Sequence, residues 1–351
     1  MSVRDSDDEY SRLEDRIREA MDSETLRNDD FRALALDIHS FQRRRNPAYD
    51  RFCKQRGNSQ QPDDWHLIPA VPQSAFKFAE LRCFAPEETA RTFHTSGTTG
   101  EVCGRHHFFC VDLYRSAVMR GWEFFGLPRA DKIILAPAPP DAPHSSLSEM
   151  LEALPGAAQF FVGGDRQLRA TELVRRLHWQ VDSGESALLL GTALAFLNFF
   201  EHCAVRGLRF MLPPGSTAME TGGYKGSGRD IAKAELYAKF GEFLGLGAED
   251  VINEYGMTEL SSQFYTRGLG GVHEGGPWVR ALVIDPETGR EVVIGGMGVL
   301  RIFDLANLGS VIAVETQDLA VRRGRGFELI GRDPGAIPRG CSRAADERMR
   351  A

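Results

Sequence analysis

The sequence predicts an α/β protein with a largely parallel sheet, followed by a smaller β-rich subdomain. Short apolar runs alternate with helical patterns between residues 131 and 212, as they do in βαβ units. After residue 270 the pattern changes to short strands separated by glycine and proline, which is typical of hairpins. Ahead of both regions, residues 10–45 have helical periodicity with densely alternating charge, which predicts a solvated helical region.

Runs of apolar residues, and the residues that bound them, define the individual elements. The run D-K-I-I-L-A at residues 131–136 predicts a buried strand that ends at a cluster of prolines. The later strands of the parallel part are predicted at residues 159–162, 187–190 and 208–212, and its helices at residues 145–154, 169–182 and 193–206. In the β-rich part the predicted strands are residues 278–284, 292–294, 298–303 and 310–315.

Composition and charge exclude several classes of protein. The 351 residues include 42% hydrophobic residues, which is enough apolar material for a core, so the chain is not mainly disordered. With 42 Lys+Arg against 49 Asp+Glu, the net charge of −7 argues against nucleic acid as a partner. The six cysteines form no C-x-x-C pair and no zinc-like spacing with histidine, which predicts a reduced, cytoplasmic protein.

Neither a leader nor a membrane segment is predicted. The first residues are acidic and polar, unlike the basic and apolar regions of a signal peptide. The longest apolar stretch, residues 187–200, is interrupted and shorter than the roughly 20 residues of a membrane helix. We therefore expect no membrane association.

A glycine- and hydroxyl-rich segment, T-F-H-T-S-G-T-T-G at residues 92–100, directly follows a β-like run. Glycines let backbone N–H groups converge on an anion, and serine or threonine hydroxyls add short donors to phosphate oxygens. This segment therefore predicts a phosphate-binding loop. The alternative interpretation is a Ser/Thr-rich hairpin without a ligand.

Two further motifs follow in the chain. One is V-I-N-E-Y-G-M-T-E at residues 251–259, in which a strand leads into a turn that ends in a carboxylate, the type of oxygen ligand that a hard cation prefers. The other pairs V-E-T-Q-D-L-A at residues 314–320 with G-F-E-L-I-G-R at residues 326–332. The alternatives are a buried tyrosine beside a turn and a β-hairpin with an exposed ion pair.

Together and in this order, the three motifs resemble those of the adenylate-forming (ANL) superfamily, which includes acyl-CoA synthetases and adenylation domains. Other segments narrow the resemblance to the acyl-protein synthetase (LuxE-like) family. These segments are L-A-P-A-P-P at 135–140, P-H-S-S-L at 143–147, G-T-A-L-A-F at 191–196, E-T-G-G-Y-K at 220–225 and A-I-P-R-G-C-S at 336–342. The resemblance covers roughly residues 65–345.

The resemblance implies the fold of the large N-terminal domain of an adenylate-forming enzyme. It divides the chain into an N-terminal helical region at 1–64, an adenylate-forming core domain at 65–330 and a short C-terminal tail at 331–351. Superfamily members that make acyl-CoA carry a lid domain with a catalytic lysine beyond the G-R motif. Since only 19 residues follow Arg332, we expect the lid to be absent or reduced to this tail.

The resemblance also implies which residues bind ATP and Mg²⁺. Thr258 would contact the α-phosphate, Glu259 would hold Mg²⁺, Asp318 would accept hydrogen bonds from the ribose, and Arg332 would reach the ribose or a phosphate. The remaining nucleotide contacts that the resemblance implies are Thr95, Ser96, Gly97, Thr98, Thr99 and Gly100 around the phosphates, and Tyr255 beside the adenine, with Gly256 and Met257 next to it. The backbone of Gly215, Ser216 and Thr217 is expected to face the adenine for a different reason, because this segment ends a predicted strand just before the strand of the second motif.

Two positions depart from the superfamily pattern. Cys103 stands where the loop usually has lysine, and Gln317 stands where glycine is usual. The nearest cation after the loop is Arg105, which we expect to take part in catalysis in place of the lysine. Cys103 itself is expected to be a packing residue.

The carboxylic acid is expected beyond the ends of two strands. His144 and Ser145 follow one strand and are expected to line the entrance to the acyl pocket, although Ser145 fits equally well as a helix N-cap. Gly191 and Thr192 follow another strand, where small residues leave room for the carboxylate. Ordinary packing of helix against sheet explains this second pair as well.

The chemistry that the resemblance implies is ATP-dependent activation of a fatty or aryl carboxylic acid to acyl-AMP. The acyl group would pass to the thiol of Cys341 and then to an acceptor such as a reductase or a carrier protein. Nearby arginines would favour the thiolate of Cys341, although a spectator thiol fits the same sequence. Two alternatives stay open: a biosynthetic ligase in which a small nucleophile attacks acyl-AMP directly, and a non-catalytic adenylate- or carrier-binding module.

Overall fold

The computed structural model describes residues 3–57, 60–95, 102–222 and 231–332. Within these ranges the α-helices are α1 (Val3–Asp22), α2 (Asn28–Arg45), α3 (Pro47–Gln55), α4 (Asp112–Phe124), α5 (Ser146–Ala153), α6 (Ala170–Ser183), α7 (Ala193–Arg206) and α8 (Lys233–Leu244). The strands are β1 (Val71–Pro72), β2 (Arg91–His94), β3 (Arg105–Phe108), β4 (Lys132–Pro137), β5 (Ala158–Val162), β6 (Leu188–Thr192), β7 (Thr217–Thr221), β8 (Val251–Tyr255), β9 (Phe264–Arg267), β10 (Glu274–Gly275), β11 (Val279–Ile284), β12 (Met297–Asp304), β13 (Ala313–Arg323) and β14 (Gly326–Arg332). Four short 3₁₀ helices complete the elements of these ranges: Trp65–Leu67, Gln73–Lys77, Pro86–Glu88 and Ala248–Asp250.

The chain divides into two compact units. The first unit comprises Met1–Phe124, Met257–Gln263 and Glu274–Ala351, and the second comprises Phe125–Gly256 and Phe264–His273. The division falls inside the Y-G-M-T-E motif, between Gly256 and Met257. Each unit therefore holds part of the predicted site.

The first unit is built on a sheet of five strands in the order β1-β13-β12-β11, with β14 also paired to β13. β1 is parallel to β13, and the β11–β12, β12–β13 and β13–β14 pairs are antiparallel. A separate hairpin, β2–β3, belongs to the same unit. The β-rich subdomain expected after residue 270 is thus present, and helices α1 to α4 belong to its unit.

The N-terminal helices are joined to this sheet by buried polar contacts. The Gln42 side chain donates to the carbonyls of Asn307 (2.8 Å) and Leu308 (3.2 Å) and accepts from the Ile312 N–H (2.8 Å). Because Gln42 is fully buried, these bonds are shielded from water. α2 therefore helps to fix the loop between β12 and β13.

Six strands of the second unit pair in the order β9-β8-β7-β6-β4-β5. β5, β4, β6, β7 and β8 are parallel, and β9 is antiparallel to β8. α7 shows how the sequence bounds a helix here: the Thr192 hydroxyl accepts from the Ala195 N–H at its start, and Gly207 ends it with a φ of 64°. Buried leucines and phenylalanines from α6, α7 and α8 pack with the sheet residues into one core. The α/β fold class predicted from the sequence is confirmed in this unit.

Two predicted strands are wrong. Residues 208–212 form no strand, because the Phe210 and Leu212 N–H groups donate to the carbonyls of Phe243 (2.8 Å) and Leu244 (3.1 Å) at the end of α8. Residues 292–294 form a turn region instead, with an isolated bridge at Glu291. In both segments the apolar side chains suggested a strand, whereas backbone hydrogen bonds to other elements determined the structure.

No helix in the described parts of the chain is both long enough and apolar enough to span a bilayer.

Candidate functional site

The β2–β3 hairpin forms the base of the predicted phosphate loop. Above the last strand rung, the Thr95 N–H donates to the Gly104 carbonyl (2.9 Å), and the Gly104 N–H donates to the Thr95 hydroxyl (2.8 Å). A Cβ at Gly104 would lie 2.9 Å from Cγ2 of Thr95, so this close pairing needs glycine. The remaining predicted loop residues, 96–100, lie outside the described residues. The structure thus places Thr95 where the loop begins.

The T-E segment of the second motif, Thr258 and Glu259, belongs to the first unit and lies against this hairpin. Nδ1 of His106 in β3 is 2.7 Å from the Thr258 carbonyl oxygen, and the Thr258 hydroxyl lies 3.5 Å from the His94 carbonyl oxygen in β2. His94 pairs with Arg105 in the ladder, one rung from His106, so both contacts come from the end of the hairpin that bears the loop. The structure therefore brings the base of the predicted phosphate loop and the T-E segment together.

Glu259 is buried, with only 5% of its surface exposed. Its backbone carbonyl accepts a hydrogen bond from the Asn307 side-chain amide (2.9 Å), and the same amide donates to the Val311 carbonyl (3.2 Å). The Asn307 side-chain oxygen in turn accepts from the Ser261 hydroxyl (2.6 Å). The backbone that carries Glu259 is thereby held in place by the loop after β12.

Asp304, at the end of β12, is the centre of this network. Its carboxylate accepts hydrogen bonds from the N–H groups of Ser261 (2.9 Å), Ser262 (2.8 Å) and Ala306 (3.0 Å) and from the Ser262 hydroxyl (2.7 Å). The Trp278 indole donates to the same hydroxyl (2.9 Å). Complete burial raises the pKa of Asp304, while these donors favour its charged form. Asp304 thus holds the residues that follow Glu259.

Asp318 and Arg332 are partners across the antiparallel β13–β14 pair. The Asp318 N–H donates to the Thr316 hydroxyl (3.1 Å), and the Gln317 N–H donates to the Gln73 side-chain oxygen (3.3 Å). The two segments of the third motif thus form a β-hairpin, as the alternative interpretation of that motif expected. That geometry is compatible with the ribose contact expected of Asp318, and this role stays a prediction.

Arg105, the cation nearest to the loop, is engaged by a carboxylate. Its guanidinium lies 2.7 Å from Glu80, which also pairs with Arg82 (2.8 Å) and lies 3.3 Å from Nε2 of His107. About half of the Arg105 side chain is exposed. A phosphate group would therefore have to compete with Glu80 for this cation. Cys103 is a free, half-buried thiol beside the hairpin.

In the second unit, Tyr255 is the last residue of β8 and is buried between aromatic rings. Its ring centroid lies 6.3 Å from that of Phe264 and 6.2 Å from that of His273. The neighbouring strand β7 ends at Thr221, which pairs with Glu254. In parallel sheets ligands bind beyond the carboxyl ends of the strands, which is where Tyr255 and Gly256 lie.

Two buried carboxyl groups lie at this edge of the second unit. Burial raises the pKa of Glu220 to about 7, opposed by Lys233 and by hydrogen bonds from Tyr237 and Asn253. Burial likewise raises the pKa of Glu254 to about 7; the Thr221 hydroxyl opposes the shift, and the charge of Glu220 adds to it. Both groups are therefore partly protonated near neutral pH.

The structure corrects the predicted adenine contact of Gly215, Ser216 and Thr217. These residues precede or begin β7, whereas Tyr255 ends the parallel strand β8, so about 13 Å of strand separates the two edges. The Ser216 hydroxyl instead donates to the Pro213 carbonyl (2.6 Å) and accepts from the Ala187 N–H (2.9 Å). The prediction was wrong because it depended on the strand expected at residues 208–212.

The residues expected around the acid have structural roles in the second unit. The Ser145 hydroxyl caps α5 by accepting from the Ser148 N–H (3.1 Å), and His144 beside it is exposed. Thr192 caps α7. A Cβ at Gly191 would lie 2.9 Å from Cβ of Leu135, so the absence of a side chain serves packing of the strands. Contacts of these four residues with an acid stay predictions.

Sequence reasoning missed His106, Asp304 and the end of β7. His106 is one of two adjacent histidines in a short strand, and Asp304 is the last residue of an alternating strand, so neither showed a motif. Thr221 and Gly222 were detectable, because they end the strand next to β8 and the carboxyl ends of parallel strands form ligand sites. The prediction missed them because it placed the strand of this segment at residues 208–212 instead of Thr217–Thr221.

A magnesium ion is compatible with the donor set. Among the described residues no group of three or more His, Cys, Asp or Glu side chains is arranged to hold a metal. Mg²⁺ that is bound to a nucleotide takes most of its ligands from phosphates and water and needs only one or two protein carboxylates. The single buried carboxyl of Glu259 therefore fits such an ion. Cys341 lies outside the described residues, and so does the side chain of Arg332.

Comparisons with known proteins agree with this geometry. No family model matches the chain. The chain is 22% identical over 306 residues to the long-chain-fatty-acid–luciferin-component ligase of Aliivibrio fischeri, with 82% of this chain and 78% of the relative covered. It is 22% identical over 330 residues to the ligase of the same name from Vibrio harveyi, with 88% and 85% covered.

Among solved structures, the chain is similar to an open conformation of 2-hydroxyisobutyryl-CoA ligase in complex with 2-HIB-AMP and CoA. The TM-score is 0.63 at 17% sequence identity, and the match covers 89% of this chain and 78% of the other. This likeness shows the fold. The names of the two curated relatives agree with the predicted resemblance to LuxE-like acyl-protein synthetases, and the predicted fold is confirmed.

Proposed function

We propose that this chain, adenylate-forming in fold and similar to long-chain-fatty-acid–luciferin-component ligases, is an ATP-dependent ligase that activates a carboxylic acid and transfers its acyl group to a thiol. One observation carries the proposal. The T-E segment of the second motif is hydrogen-bonded to the base of the phosphate loop through His106 and His94. Two motifs more than 150 residues apart in sequence thereby meet within one unit.

The first step is attack of a carboxylate oxygen on the α-phosphorus of ATP. A bond forms between that oxygen and phosphorus, the bond to the oxygen that bridges the α- and β-phosphates breaks, and pyrophosphate leaves with the bonding electrons. Thr258 and the loop that begins at Thr95 orient the phosphates. Glu259 would hold Mg²⁺, which when bound would supply positive charge to neutralise the phosphates.

The second step transfers the acyl group from acyl-AMP to a thiolate, and AMP leaves. Burial raises the pKa of Cys53 and of Cys203 to about 11, and it raises the pKa of Cys83 and Cys110 as well. These four thiols therefore stay protonated at neutral pH and are poor nucleophiles. Cys341, which has Arg339 two residues before it and Arg343 two residues after it, is the first acceptor, and a protein that binds the acyl-enzyme is the second.

The acid is a fatty acid, and a long-chain one agrees best with the names of both curated relatives. Many phenylalanines suit an apolar pocket, although most of those described lie in the cores. Aryl acids are the second class of acid to test, because both names come from relatives that are only 22% identical to this chain.

The experiment is ATP–pyrophosphate exchange with a series of fatty and aryl acids, followed by labelling with the best radioactive acid. We expect exchange that depends on a fatty acid and a hydroxylamine-sensitive label on the protein. The variant Cys341→Ser should keep exchange within about twofold and lose the label. Cys103→Ser is the matched control and should keep both.

Each outcome identifies one function. If no acid supports exchange, the chain is not an acid-activating enzyme, and a non-catalytic binding module is favoured. If exchange occurs and Cys341→Ser keeps its label, the thiol relay is wrong. If exchange occurs and the wild-type protein is never labelled, a small nucleophile attacks acyl-AMP directly.

A further inference from the structure

We propose that His106 is a positioning residue that holds the Thr258–Glu259 segment against the base of the predicted phosphate loop. Its loss should lower the rate of adenylation beyond what the accompanying loss of stability explains. This inference rests on the proposed function, since it assigns a role in the same reaction. Neither the sequence motifs nor the resemblance assigns any role to this histidine.

His106 holds the segment through one hydrogen bond, from its Nδ1 to the Thr258 carbonyl, which we call the His106 clamp. The residue lies in β3, has only 2% of its surface exposed, and places Nδ1 2.7 Å from the carbonyl oxygen of Thr258. Its ring packs against Phe108, with centroids 4.2 Å apart, and edge-on to Phe76 at 5.5 Å. These apolar neighbours fix the plane of the imidazole, so Nδ1 has little freedom to point elsewhere.

The protonation state follows from the partner. A backbone carbonyl only accepts hydrogen bonds, so Nδ1 carries the proton. Burial lowers the pKa of His106 to about 4; the bond to Thr258 opposes this shift, and His107 adds to it. The ring is therefore neutral at pH 7 and donates from Nδ1. A lysine or arginine here would instead bury a charge beside the segment that meets the phosphates.

The clamp differs from the contacts on the other side of the segment. Asn307 and Asp304 hold Glu259 and the residues after it to the loop that follows β12. His106 joins the segment to β3, the strand that leads out of the phosphate loop. The Asn307 and Asp304 contacts can persist without His106, so the fold survives its loss. The distance between Thr258 and the loop, however, is then less restricted.

A displacement of this kind affects rate, because phosphoryl transfer depends on alignment. A misplacement of about 1 Å can cost about 100-fold in rate. We expect His106→Leu to lower kcat for ATP–pyrophosphate exchange by about 10- to 100-fold. The variant His106→Asn, whose amide nitrogen occupies a position close to that of Nδ1, should recover exchange to within about fivefold of the wild type.

The matched control is His39→Leu. His39 is also fully buried in the first unit, has its pKa lowered to about 4 by burial, and makes a hydrogen bond through Nδ1, to the Tyr49 hydroxyl (2.9 Å). Its loss removes the same chemical group at a place without contacts to the motifs described above. We expect His39→Leu to lower the melting temperature as much as His106→Leu does while leaving exchange within about twofold.

A second readout does not depend on activity. Hydrogen exchange of the peptide that covers residues 257–262 reports the amides of Leu260, Ser261 and Ser262, each of which is hydrogen-bonded. In His106→Leu we expect faster hydrogen exchange of the Leu260 amide, which donates to the Met257 carbonyl beside Thr258, while the Ser261 and Ser262 amides keep their acceptor Asp304 and exchange as in the wild type. Hydrogen exchange at Leu260 should be near that of the wild type in His106→Asn and unchanged in His39→Leu.

The two proposals fail in different ways. If the wild type activates no acid, the proposed function is wrong, and the hydrogen-exchange comparison still tests the clamp. If His106→Leu leaves amide protection and exchange kinetics as in the wild type, the clamp is wrong while the function stands. If His39→Leu and His106→Leu lose activity equally, His106 acts only through stability and the proposal is overturned.

Discussion

The two units use buried carboxyl groups in different ways. In the first unit Asp304 accepts four hydrogen bonds from backbone and hydroxyl donors and fixes the chain after Glu259. In the second unit Glu220 and Glu254 lie on the paired strands β7 and β8, have fewer hydrogen-bond donors among the described residues, and have pKa values raised to about 7. A carboxylate surrounded by donors fixes the position of the chain that it binds, whereas buried carboxyl groups with a pKa near 7 make the stability of their surroundings depend on pH.

Removing the central carboxylate of the first unit should have the largest effect. Asp304→Ala leaves the N–H groups of Ser261 and Ser262 without their acceptor, so we expect the free energy of unfolding to fall by about 3–5 kcal/mol. Denaturant titration measures this loss. Asp304→Asn keeps one acceptor oxygen and should lose less. A change below about 1 kcal/mol in Asp304→Ala would show that the network does not stabilise the unit.

Replacing the carboxyl group that the network holds should affect catalysis instead. Glu259→Gln keeps the size of the side chain and removes the charge that would bind Mg²⁺, so we expect kcat for ATP–pyrophosphate exchange to fall at least about 100-fold. Raising the Mg²⁺ concentration should recover part of the rate. The control is Glu315→Gln, which breaks a half-buried ion pair with Arg301 and should keep the rate. Equal rates in both variants would remove Glu259 from the mechanism.

The two buried glutamates of the second unit, Glu220 and Glu254, should make the free energy of unfolding depend on pH. Because folding raises the pKa of Glu220 and Glu254 from an ordinary 4.5 to about 7, the folded state binds protons more tightly than the unfolded state. Their contribution to stability is complete below about pH 4.5 and is lost as the pH rises through about 7.

The variant Glu254→Gln tests this sign. It should match the wild type at about pH 4, below the unfolded pKa, and exceed it at about pH 8 by on the order of 1–3 kcal/mol in the free energy of unfolding. Denaturant midpoints at the two pH values give the comparison, and Glu249→Gln, in an exposed 3₁₀ helix, is the control. A difference between variant and wild type that is the same at both pH values would contradict the shift.

The motifs were predictable from sequence because each needs particular residue types in a short run. Thr95, Thr258 and Glu259 could be singled out from the sequence, and the structure brings the elements that carry them together in the first unit, while their roles stay predictions. Gly215 was predicted to follow a strand, but in the structure it precedes one, since the strand of this segment is β7 and not residues 208–212. The position of β7 depends on its hydrogen bonds to β6 and β8, which the sequence pattern alone does not show. His106 could not be found, since its role depends on a partner 152 residues away.

The smallest effect concerns Ser145, whose two interpretations the sequence left open. Its hydroxyl caps α5, so Ser145→Ala should lower the free energy of unfolding by about 1 kcal/mol. If capping is the whole role of Ser145, KM for the acid in the ATP–pyrophosphate exchange assay stays unchanged in Ser145→Ala. The control is Ser146→Ala, the next residue, which does not cap the helix and should change neither the free energy of unfolding nor KM. A rise in KM for Ser145→Ala that exceeds the rise for Ser146→Ala would place the acid at the start of α5. The carboxyl ends of the strands in the second unit would then bind substrate while their acidic pair sets its pH dependence.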